Sequence, residues 1–390
     1  MSKRTGLSRY LFDRRVLDAV TQVAVVGGLC ALIWYFVSNA SDQLVRGGIA
    51  SGFDFLWRSS GVDVPVKLIP HANASSYANL LLVGVLNTLL VSAIGIVIAT
   101  VLGFAIGIAR LSRNWLLARL CGAFIEFVRN IPLLFFVLAW YFVIVNMLPP
   151  LRQSLSPGAG IFLNNRGLYI PWPDQPSRFL AVPAAFLAGA VVFWLVRRWA
   201  AARRARTGRG FPVGTVGGIL MLGLPLAAAL GAGAASVWDV PVRGGFNFRG
   251  GIVLIPEFVA IVVALATYTA GFIAEIVRGG ILAVSKGQIE AAQALGLKHG
   301  EILRLIVVPQ AMRAIVPPLT SQYLNLIKNS SFGAFIAFPE TVSVFLGSTL
   351  TQTGQAIEIA AITLAIYLAI SLAVSALMNW YNRFVAIPTR

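Results

Sequence analysis

The chain has 390 residues, of which 58% are hydrophobic and only 12% are charged, and its mean hydropathy is +0.81. So few charges cannot cover so much apolar surface in water, so the composition excludes a soluble globular protein and predicts an all-α polytopic membrane protein. The formal net charge of +17 is explained by basic loops that set membrane orientation, and no nucleic acid is expected as a partner because no basic-aromatic stacking platform accompanies these loops.

Eight stretches of the chain provide the roughly 20 consecutive apolar residues that a helix needs to cross a bilayer. These candidate spans are residues 20–38, 80–109, 127–147, 179–197, 213–236, 257–276, 316–338 and 358–380. The first follows a basic start but precedes no small-residue cleavage site, so we expect it to be retained as a span. The seventh is interrupted by Pro317, Pro318 and Lys328.

The distribution of basic residues predicts how these spans are oriented. If the N-terminus is inside, the inner segments carry 21 lysines and arginines and the outer loops carry eight, while Arg129 and Lys328 lie within spans. Short loops rich in positive charge stay in the cytoplasm, so both termini are expected there, as an even number of spans requires.

Two outer loops, 39–78 and 148–178, are rich in Pro, Gly, Asn and Ser. The second is too long to be a bare connector. Two interpretations remain open for it, because it could contact a partner protein or simply cap the helix bundle.

No sequence motif for covalent chemistry is present. None of the five lysines follows a glycine, as a phosphate-binding loop requires, and there is no Gly-x-Ser-x-Gly, His-Glu-x-x-His or Gly-x-Gly-x-x-Gly motif. The two cysteines and two histidines are isolated and give no metal spacing. The sequence therefore predicts no catalytic residue, metal or cofactor, which argues against a membrane enzyme. Active transport would need energy from an ion gradient or from another subunit.

The cytoplasmic loop 275–313 is predicted to contain two short helices. Good helix formers occupy 286–295 and end at Gly296, a residue typical of helix C-termini. A second helix is expected from about 298 to 308, ending before Pro309.

One face of the first short helix combines Ile289, Ala292 and Leu295. Its alanines keep it thin enough for the groove of another protein to close around it, and Glu290 and Glu301 supply polar contacts. The residues alone leave a second interpretation open, in which this amphipathic loop lies on the lipid surface.

The sequence Glu290-Ala291-Ala292, with Gly296 and then Ile306–Pro309, resembles the EAA loop of bacterial ATP-binding-cassette (ABC) importer permeases. Six further segments are similar to polar amino-acid permeases: Gly84–Leu89, Phe127–Leu134, Tyr268–Gly280, Pro309–Arg313, Pro317–Leu319 and Leu326–Ser331. The resemblance covers residues 83–147 and 252–385, which include five of the spans.

This resemblance implies a type I ABC importer permease core of five helices, to which the chain adds three spans, eight in total. The enlarged plan resembles the larger permeases of the general L-amino-acid (Aap/Bzt-type) transporters, and residues 79–134 resemble their Q-type subunit. The implied regions are an N-terminal span and periplasmic loop at 1–78, a core at 79–147 and 252–385, and an inserted loop with two extra spans at 148–251.

The resemblance also implies a function and partners. The chain would be a permease subunit that imports L-amino acids of polar or general specificity across the bacterial inner membrane. A periplasmic amino-acid-binding protein would deliver the substrate, a sister permease or second copy would complete the path, and cytoplasmic ATP-binding subunits would hydrolyse ATP. Glu290, Ala291, Ala292, Gly296 and Pro309 would couple this chain to the ATPase. The alternative is an ion-gradient-driven secondary transporter, which would need acidic residues buried within spans, whereas here most of them flank the spans.

Charged and polar residues within the spans suggest further sites. Lys328 would be costly in mid-bilayer, and Asn329, Ser330 and Ser331 follow it. This polar break could line a substrate path, or it could lie at the outer interface or lock helices together.

Two acid-base pairs have the i, i+3 spacing that places both side chains on one helical face. Glu126 and Arg129 lie near the inner interface, where they could pair or where Arg129 could extend to the lipid headgroups. Glu275 and Arg278 are expected to form a gating or structural ion pair rather than to contact substrate.

Overall fold

The computed structural model describes residues 14–46, 52–208, 210–234, 236–245 and 247–385. Within them, seven helices are long and apolar enough to cross a membrane, or eight if one bent helix pair counts as a single span. The predicted class of polytopic helical membrane protein is therefore confirmed, and each of the eight apolar stretches overlaps a helix or the bent pair, with 213–236 and 316–338 predicted two residues too long at their ends.

The helices, numbered in chain order, are α1 (Arg14–Arg46), α2 (Tyr77–Ala109), α3 (Trp115–Asn130), α4 (Leu133–Met147), α5 (Ala181–Thr207), α6 (Val213–Gly218), α7 (Leu224–Ala234), α8 (Pro256–Leu282), α9 (Lys286–Ala294), α10 (His299–Ile302), α11 (Val308–Asn329), α12 (Leu350–Thr353) and α13 (Ala356–Val385). Short 3₁₀ helices lie at Asp54–Trp57, Leu151–Gln153, Pro176–Leu180 and Ser330–Ile336, and π-helical turns at Ile219–Gly223, Leu303–Val307 and Ser343–Thr349. The strands are β1 (Leu155–Gly158), β2 (Ile161–Asn164), β3 (Gly167–Ile170), β4 (Trp172–Pro173), β5 (Trp238–Asp239), β6 (Val242–Arg243), β7 (Phe248–Arg249) and β8 (Ile252–Leu254).

The predicted third span, 127–147, is not one straight helix. Helix α3 ends at Asn130, α4 begins at Leu133, and the helix axis turns by 108° between them. Pro132 explains the break, because proline lacks an amide donor and disfavours the helical conformation of the residue before it.

The predicted end of a short helix before Pro309 is wrong. Helices α10 and α11, the π-helical turn between them and the following 3₁₀ helix form one continuous run of 38 residues, His299–Ile336. Pro309 lies in the first turn of α11, directly after the π-helical turn, where a missing amide interrupts the hydrogen bonds least. Pro317 and Pro318 lie inside α11 without ending it, a placement that membrane helices tolerate.

The chain divides into two compact units, one comprising residues up to Glu126 together with those from Thr269, and the other Phe127–Tyr268. These bounds differ from the predicted insertion at 148–251, and the predicted regions remain a prediction about chain organisation.

In the first unit, α2 buries a stripe of small residues at every fourth position: Gly95, Ala99, Gly103 and Gly107. A Cβ atom on Gly103 would lie 2.5 Å from the side chain of Ile273, and one on Gly107 would lie 2.6 Å from the carbonyl oxygen of Ala274. Small residues at this spacing let the backbones of α2 and α8 approach closely, which is how membrane helices gain packing energy without a hydrophobic driving force.

The segment that precedes α2 is ordered by polar contacts. The ring nitrogens of buried His71 lie 2.7 Å from Asn79 Oδ1 and 2.8 Å from the carbonyl oxygen of Val62. Asp63 pairs with Lys67 at 3.0 Å, and the hydrogen bond from this ammonium lowers the pKa of the Asp63 carboxyl below its ordinary value. This part of the predicted loop 39–78 is therefore a structured layer.

The second unit contains strands that the sequence did not predict. Four antiparallel strands form a sheet in the order β1-β2-β3-β8, so that residues on either side of α5 and α7 are paired, as in Leu168 with Leu254. The rings of Phe162 and Tyr169 lie 4.5 and 4.7 Å from that of Phe248, and burial raises the pKa of the Tyr169 hydroxyl. The long loop 148–178 is thus a folded β-layer on an otherwise helical chain.

Candidate functional site

Helix α9 is closed at its C-terminus by a complete Schellman motif. Gly296 has φ +76°, a conformation that glycine adopts without steric cost. Its amide donates to the carbonyl of Gln293 at 2.9 Å, and the amide of Leu297 donates to the carbonyl of Ala292 at 3.2 Å. The predicted stop at Gly296 is therefore confirmed, and the helix has a fixed length.

The three residues of the predicted face of α9, Ile289, Ala292 and Leu295, differ in burial. Ala292 is only 2% exposed and packs within the chain, whereas Leu295 is 82% exposed and Ile289 is partly buried. Glu290 and Ala291 are exposed. Ala292 therefore seats the helix on its own protein, and the surface open to a partner is formed around Glu290, Ala291 and Leu295.

Helix α9 is attached to the beginning of the continuous helical run. The side-chain amide of Gln310 donates to Gln288 Oε1, and the Glu301 carboxylate accepts from the amide of Lys298 at 2.9 Å. The apolar side chains buried in this region are Val284, Ile302, Val307, Ala311 and Ile315. Pro309 precedes Gln310 at the start of α11, so it belongs to the segment that is hydrogen-bonded to α9.

An ion-pair network lies where α2 ends. Arg110 donates to Glu275 Oε2 at 2.7 Å, and Arg278 donates to both oxygens of the same carboxylate at 3.0 and 2.6 Å. The predicted pair of Glu275 and Arg278 is therefore present, with Arg110 as a third member. Glu126 lies 3.9 Å from Arg110, and the pairing of Glu126 with Arg129 remains a prediction. The network joins α2 to α8 a few residues before α9.

The polar segment at the end of α11 does not break the helix. Lys328 is exposed and Asn329 is partly buried, both within the last turn of α11. The hydroxyl of buried Ser330 donates to the carbonyl of Ile327 at 2.7 Å, and that of Ser331 donates to the carbonyl of Lys328 at 2.8 Å. Both hydroxyl protons are thus donated to carbonyls of their own helix, and the predicted role of Lys328, Asn329, Ser330 and Ser331 in a substrate path stays a prediction.

A buried polar group that sequence reasoning missed lies just after the helical run; we call Thr88, Glu340, Thr341 and Tyr367 the Glu340 cluster. Glu340 is 0% exposed, and its carboxylate accepts from the amides of Val342 and Ser343 at 2.8 and 2.7 Å. The hydroxyl of Tyr367 in α13 donates to the same carboxylate at 3.1 Å. An acidic residue directly before a helical segment is a capping signal, and it was the available clue.

The second arm of the Glu340 cluster reaches α2. Thr88 Oγ1 lies 2.9 Å from Thr341 Oγ1 and accepts from the amide of Thr341 at 3.2 Å. The neighbouring Asn87 amide donates to the carbonyl of Pro339 at 2.9 Å. Three separate segments, α2, residues 339–343 and α13, are thus held together by hydrogen bonds around the buried side chains of Thr88, Glu340 and Thr341.

The described residues contain no group of three or more His, Cys, Asp or Glu side chains that could hold a metal ion. A cavity of about 420 Å³ between α2, α11 and α13 is lined mainly by apolar and aromatic side chains, with Thr100 and Tyr323 hydrogen-bonded at 3.0 Å on its wall. This lining offers few groups to bind a charged solute.

Comparison with known proteins places these features in context. Residues 99–387 match the family described as "Binding-protein-dependent transport system inner membrane component". The chain is 48% identical to the "Putative amino-acid ABC transporter permease protein YhdX" of Escherichia coli K12, over 96% of this chain and 94% of that protein. It is 45% identical to the "General L-amino acid transport system permease protein AapQ" of Rhizobium johnstonii, over 97% and 95% of the two chains. It is 37% identical to the "Glutamate/glutamine/aspartate/asparagine transport system permease protein BztB" of Rhodobacter capsulatus, over 98% and 97%.

Proposed function

Because the chain belongs to the family of binding-protein-dependent transport system inner membrane components, and within it to the amino-acid ABC importer permeases, we propose that it forms part of the path by which L-amino acids of polar or general specificity enter the cell. The substrate class is supported by the names of the three relatives, all of which refer to amino acids. The excess of basic residues in alternate loops supports an inner-membrane orientation with both termini in the cytoplasm.

The single observation that carries the mechanism is helix α9. It is a short helix with a fixed C-terminal stop and an exposed outer face. A cytoplasmic ATP-binding subunit would hold the surface around Glu290, Ala291 and Leu295, and it would bind and hydrolyse the ATP. Ala292 and Gly296 would keep the shape of the helix, and Pro309 would pass its movement into the spans.

The test is charge reversal at the centre of this surface. We expect Glu290→Lys to abolish co-purification of the ATPase and ATP-dependent uptake, because a cation replaces an exposed anion in the contact. The matched control is Asp174→Lys, which makes the same change at an exposed residue of the second unit. Retention of the ATPase by Glu290→Lys, with uptake unchanged, would contradict the proposed coupling role of α9.

Substrate is proposed to pass Lys328 and Asn329. The exposed ammonium of Lys328 and the amide of Asn329 suit the carboxylate and polar side chains of amino acids, and Ser330 and Ser331 shape the backbone at this place. We expect Lys328→Met to lower uptake at least tenfold while ATPase binding is kept, because substrate would lose a charged partner. Unchanged uptake kinetics would remove Lys328 from the path.

The outer partners complete the proposed complex. A periplasmic amino-acid-binding protein would deliver substrate, and a sister permease or a second copy would form the other half of the path. Reconstitution of the purified chain alone in proteoliposomes tests this directly. We expect no uptake without the other subunits, whereas uptake driven by a sodium or proton gradient would favour a secondary transporter instead.

A further inference from the structure

The chain reverses direction after the helical run His299–Ile336. The run ends at Ala337, which adopts the left-handed conformation with φ +58°, and the amide of Phe338 returns to the carbonyl of Gly333 at 2.9 Å. The following residues, 338–353, comprise a turn, a π-helical stretch and α12. We call them the return segment.

Contacts with α2 fix the course of the return segment. At its beginning, Thr341 contacts Thr88, which lies eleven residues after Tyr77 and therefore about 16 Å along α2. Near its end, Gln352 accepts a hydrogen bond of 2.6 Å from the hydroxyl of Tyr77 at the first turn of α2. The return segment thus runs antiparallel to α2, from the level of Thr88 back to the start of that helix, and is re-entrant within the depth of the span.

The beginning of the return segment is held more tightly than an ordinary turn. A Cβ atom on Gly84 would lie 2.6 Å from the side chain of Val344 and 3.1 Å from the Cα atom of Thr341, so the two backbones are in close contact. The Glu340 carboxylate accepts three hydrogen bonds, all from neutral donors, and two of these donors are amides of the return segment itself. Removing the acceptor would leave the donors unsatisfied in a fully buried place, which is costly.

We infer that Glu340 is a positioning residue that fixes the return segment to the end of the 38-residue helical run, so that ATPase-driven movement of α9 reaches the outer mouth of the path. This inference rests on the proposed function of α9. A continuous helix of this length spans about 57 Å and transmits displacement as a stiff element. Glu340 lies four residues after the far end of that element, and a Cβ atom on Gly333 of the run would lie 3.2 Å from Glu340 Cγ. Its carboxylate is bound to α13 through Tyr367 and to two amides of the return segment.

The test uses the complete transporter in proteoliposomes: this chain, its ATPase, its sister permease, and its binding protein loaded from a mixture of L-amino acids. In Glu340→Gln, packing is retained, but an NH2 group replaces one of the two oxygens, each of which accepts from a different backbone amide. We expect ATPase co-purification and basal ATP hydrolysis within twofold of wild type, and at least a tenfold loss both of stimulation by the loaded binding protein and of uptake.

A second variant and a matched control separate positioning from simple stability. Tyr367→Phe removes one of the three donors and should reduce stimulation about threefold. Glu358→Gln makes the same acid-to-amide change in a buried side chain outside the Glu340 cluster and should leave stimulation close to wild type. The inference is overturned if Glu340→Gln and Tyr367→Phe keep normal stimulation, or if uptake falls only in proportion to the amount of assembled complex. A wild-type complex that captures no ATPase would instead refute the proposed function.

Discussion

Helix α9 and the Glu340 cluster are attached to the two ends of one helical run, and they are built in opposite ways. Helix α9 is short and exposed on its outer side, and its C-terminus is closed by bonds between residues at most five positions apart. In the Glu340 cluster, Thr88, Glu340 and Thr341 are fully buried, and the bond between Thr88 and Thr341 joins residues 253 positions apart. A surface that another protein must hold keeps few contacts of its own, whereas an anchor inside the membrane needs every polar group satisfied.

Helix α9 itself contains a buried alanine, Ala292, next to an exposed alanine, Ala291. Replacing each with leucine should give the largest difference in stability between two variants. Ala292→Leu overfills a site that is 2% exposed, so we expect the stability of the chain to fall by about 1–3 kcal/mol. Ala291→Leu, at an exposed position, should change stability by less than about 0.5 kcal/mol. Thermal unfolding in detergent measures both, and equal effects would mean that Ala292 is not a seating residue.

Thr88→Val removes the hydroxyl that binds Thr341 in the Glu340 cluster while keeping the shape of the side chain. The amide and hydroxyl of Thr341 would lose their partner in a buried place, at a cost of about 1–3 kcal/mol. We expect a lower unfolding temperature with ATPase capture intact, the opposite signature to Glu290→Lys. Thr351→Val, at an exposed threonine of α12, is the control. A neutral Thr88→Val would show that this contact is dispensable.

Gly296→Ala should affect the exposed surface of α9 rather than the Glu340 cluster. A Cβ atom at φ +76° costs about 1–2 kcal/mol, and no neighbouring atom lies within 4 Å of its position, so the penalty is conformational. We expect fraying of α9 and weaker ATPase binding, measured by titration of the ATPase onto the purified permease. Gly300→Ala, a helical position with open space, is the matched control, and an identical response at both sites would contradict the role of the Schellman motif.

Glu275→Gln changes the ion-pair network that joins α2 to α8 and should have a smaller effect on stability. The carboxylate is about a quarter exposed, as are its partners Arg110 and Arg278, so we expect a loss of about 1 kcal/mol or less. If the network gates transport, uptake will change more than stability does. A parallel decline of both would indicate a purely structural ion pair.

The smallest expected effect is the loss of the Asp63 contribution to stability at low pH. The lowered pKa of Asp63 means that its contribution is fully present above the ordinary value of 3.8 and is lost as pH falls through the lowered value. Amide exchange at Val64, which donates to this carboxylate, should therefore quicken only in strong acid. In Asp63→Asn the same acid step should be absent, and a step that persists would assign it to another group.

Local patterns explain why α9 could be predicted while other features could not. Its helix formers and Gly296 act within one turn of chain, and the apolar stretches of the spans are equally local. Hydrophobic periodicity does not encode the π-helical turn that precedes Pro309. It also does not encode the pairing of Leu168 with Leu254, which are separated in sequence by two spans. Glu340 could not be predicted because its sequence position is that of an ordinary acid beside a span. Tyr367, which binds it, and Thr88, which binds its neighbour Thr341, are distant in sequence.

The stripe of small residues on α2 has a consequence for biosynthesis. Its contact Ala274 is made about 170 residues after Gly107, which at typical elongation rates of about 5–20 residues per second is a delay of roughly 10–30 s. During that time, α2 presents Gly103 and Gly107 to lipid or to the insertion machinery. Glycine and alanine carry no polar side chain, so this part of α2 leaves no side-chain hydrogen bond unsatisfied before α8 is made.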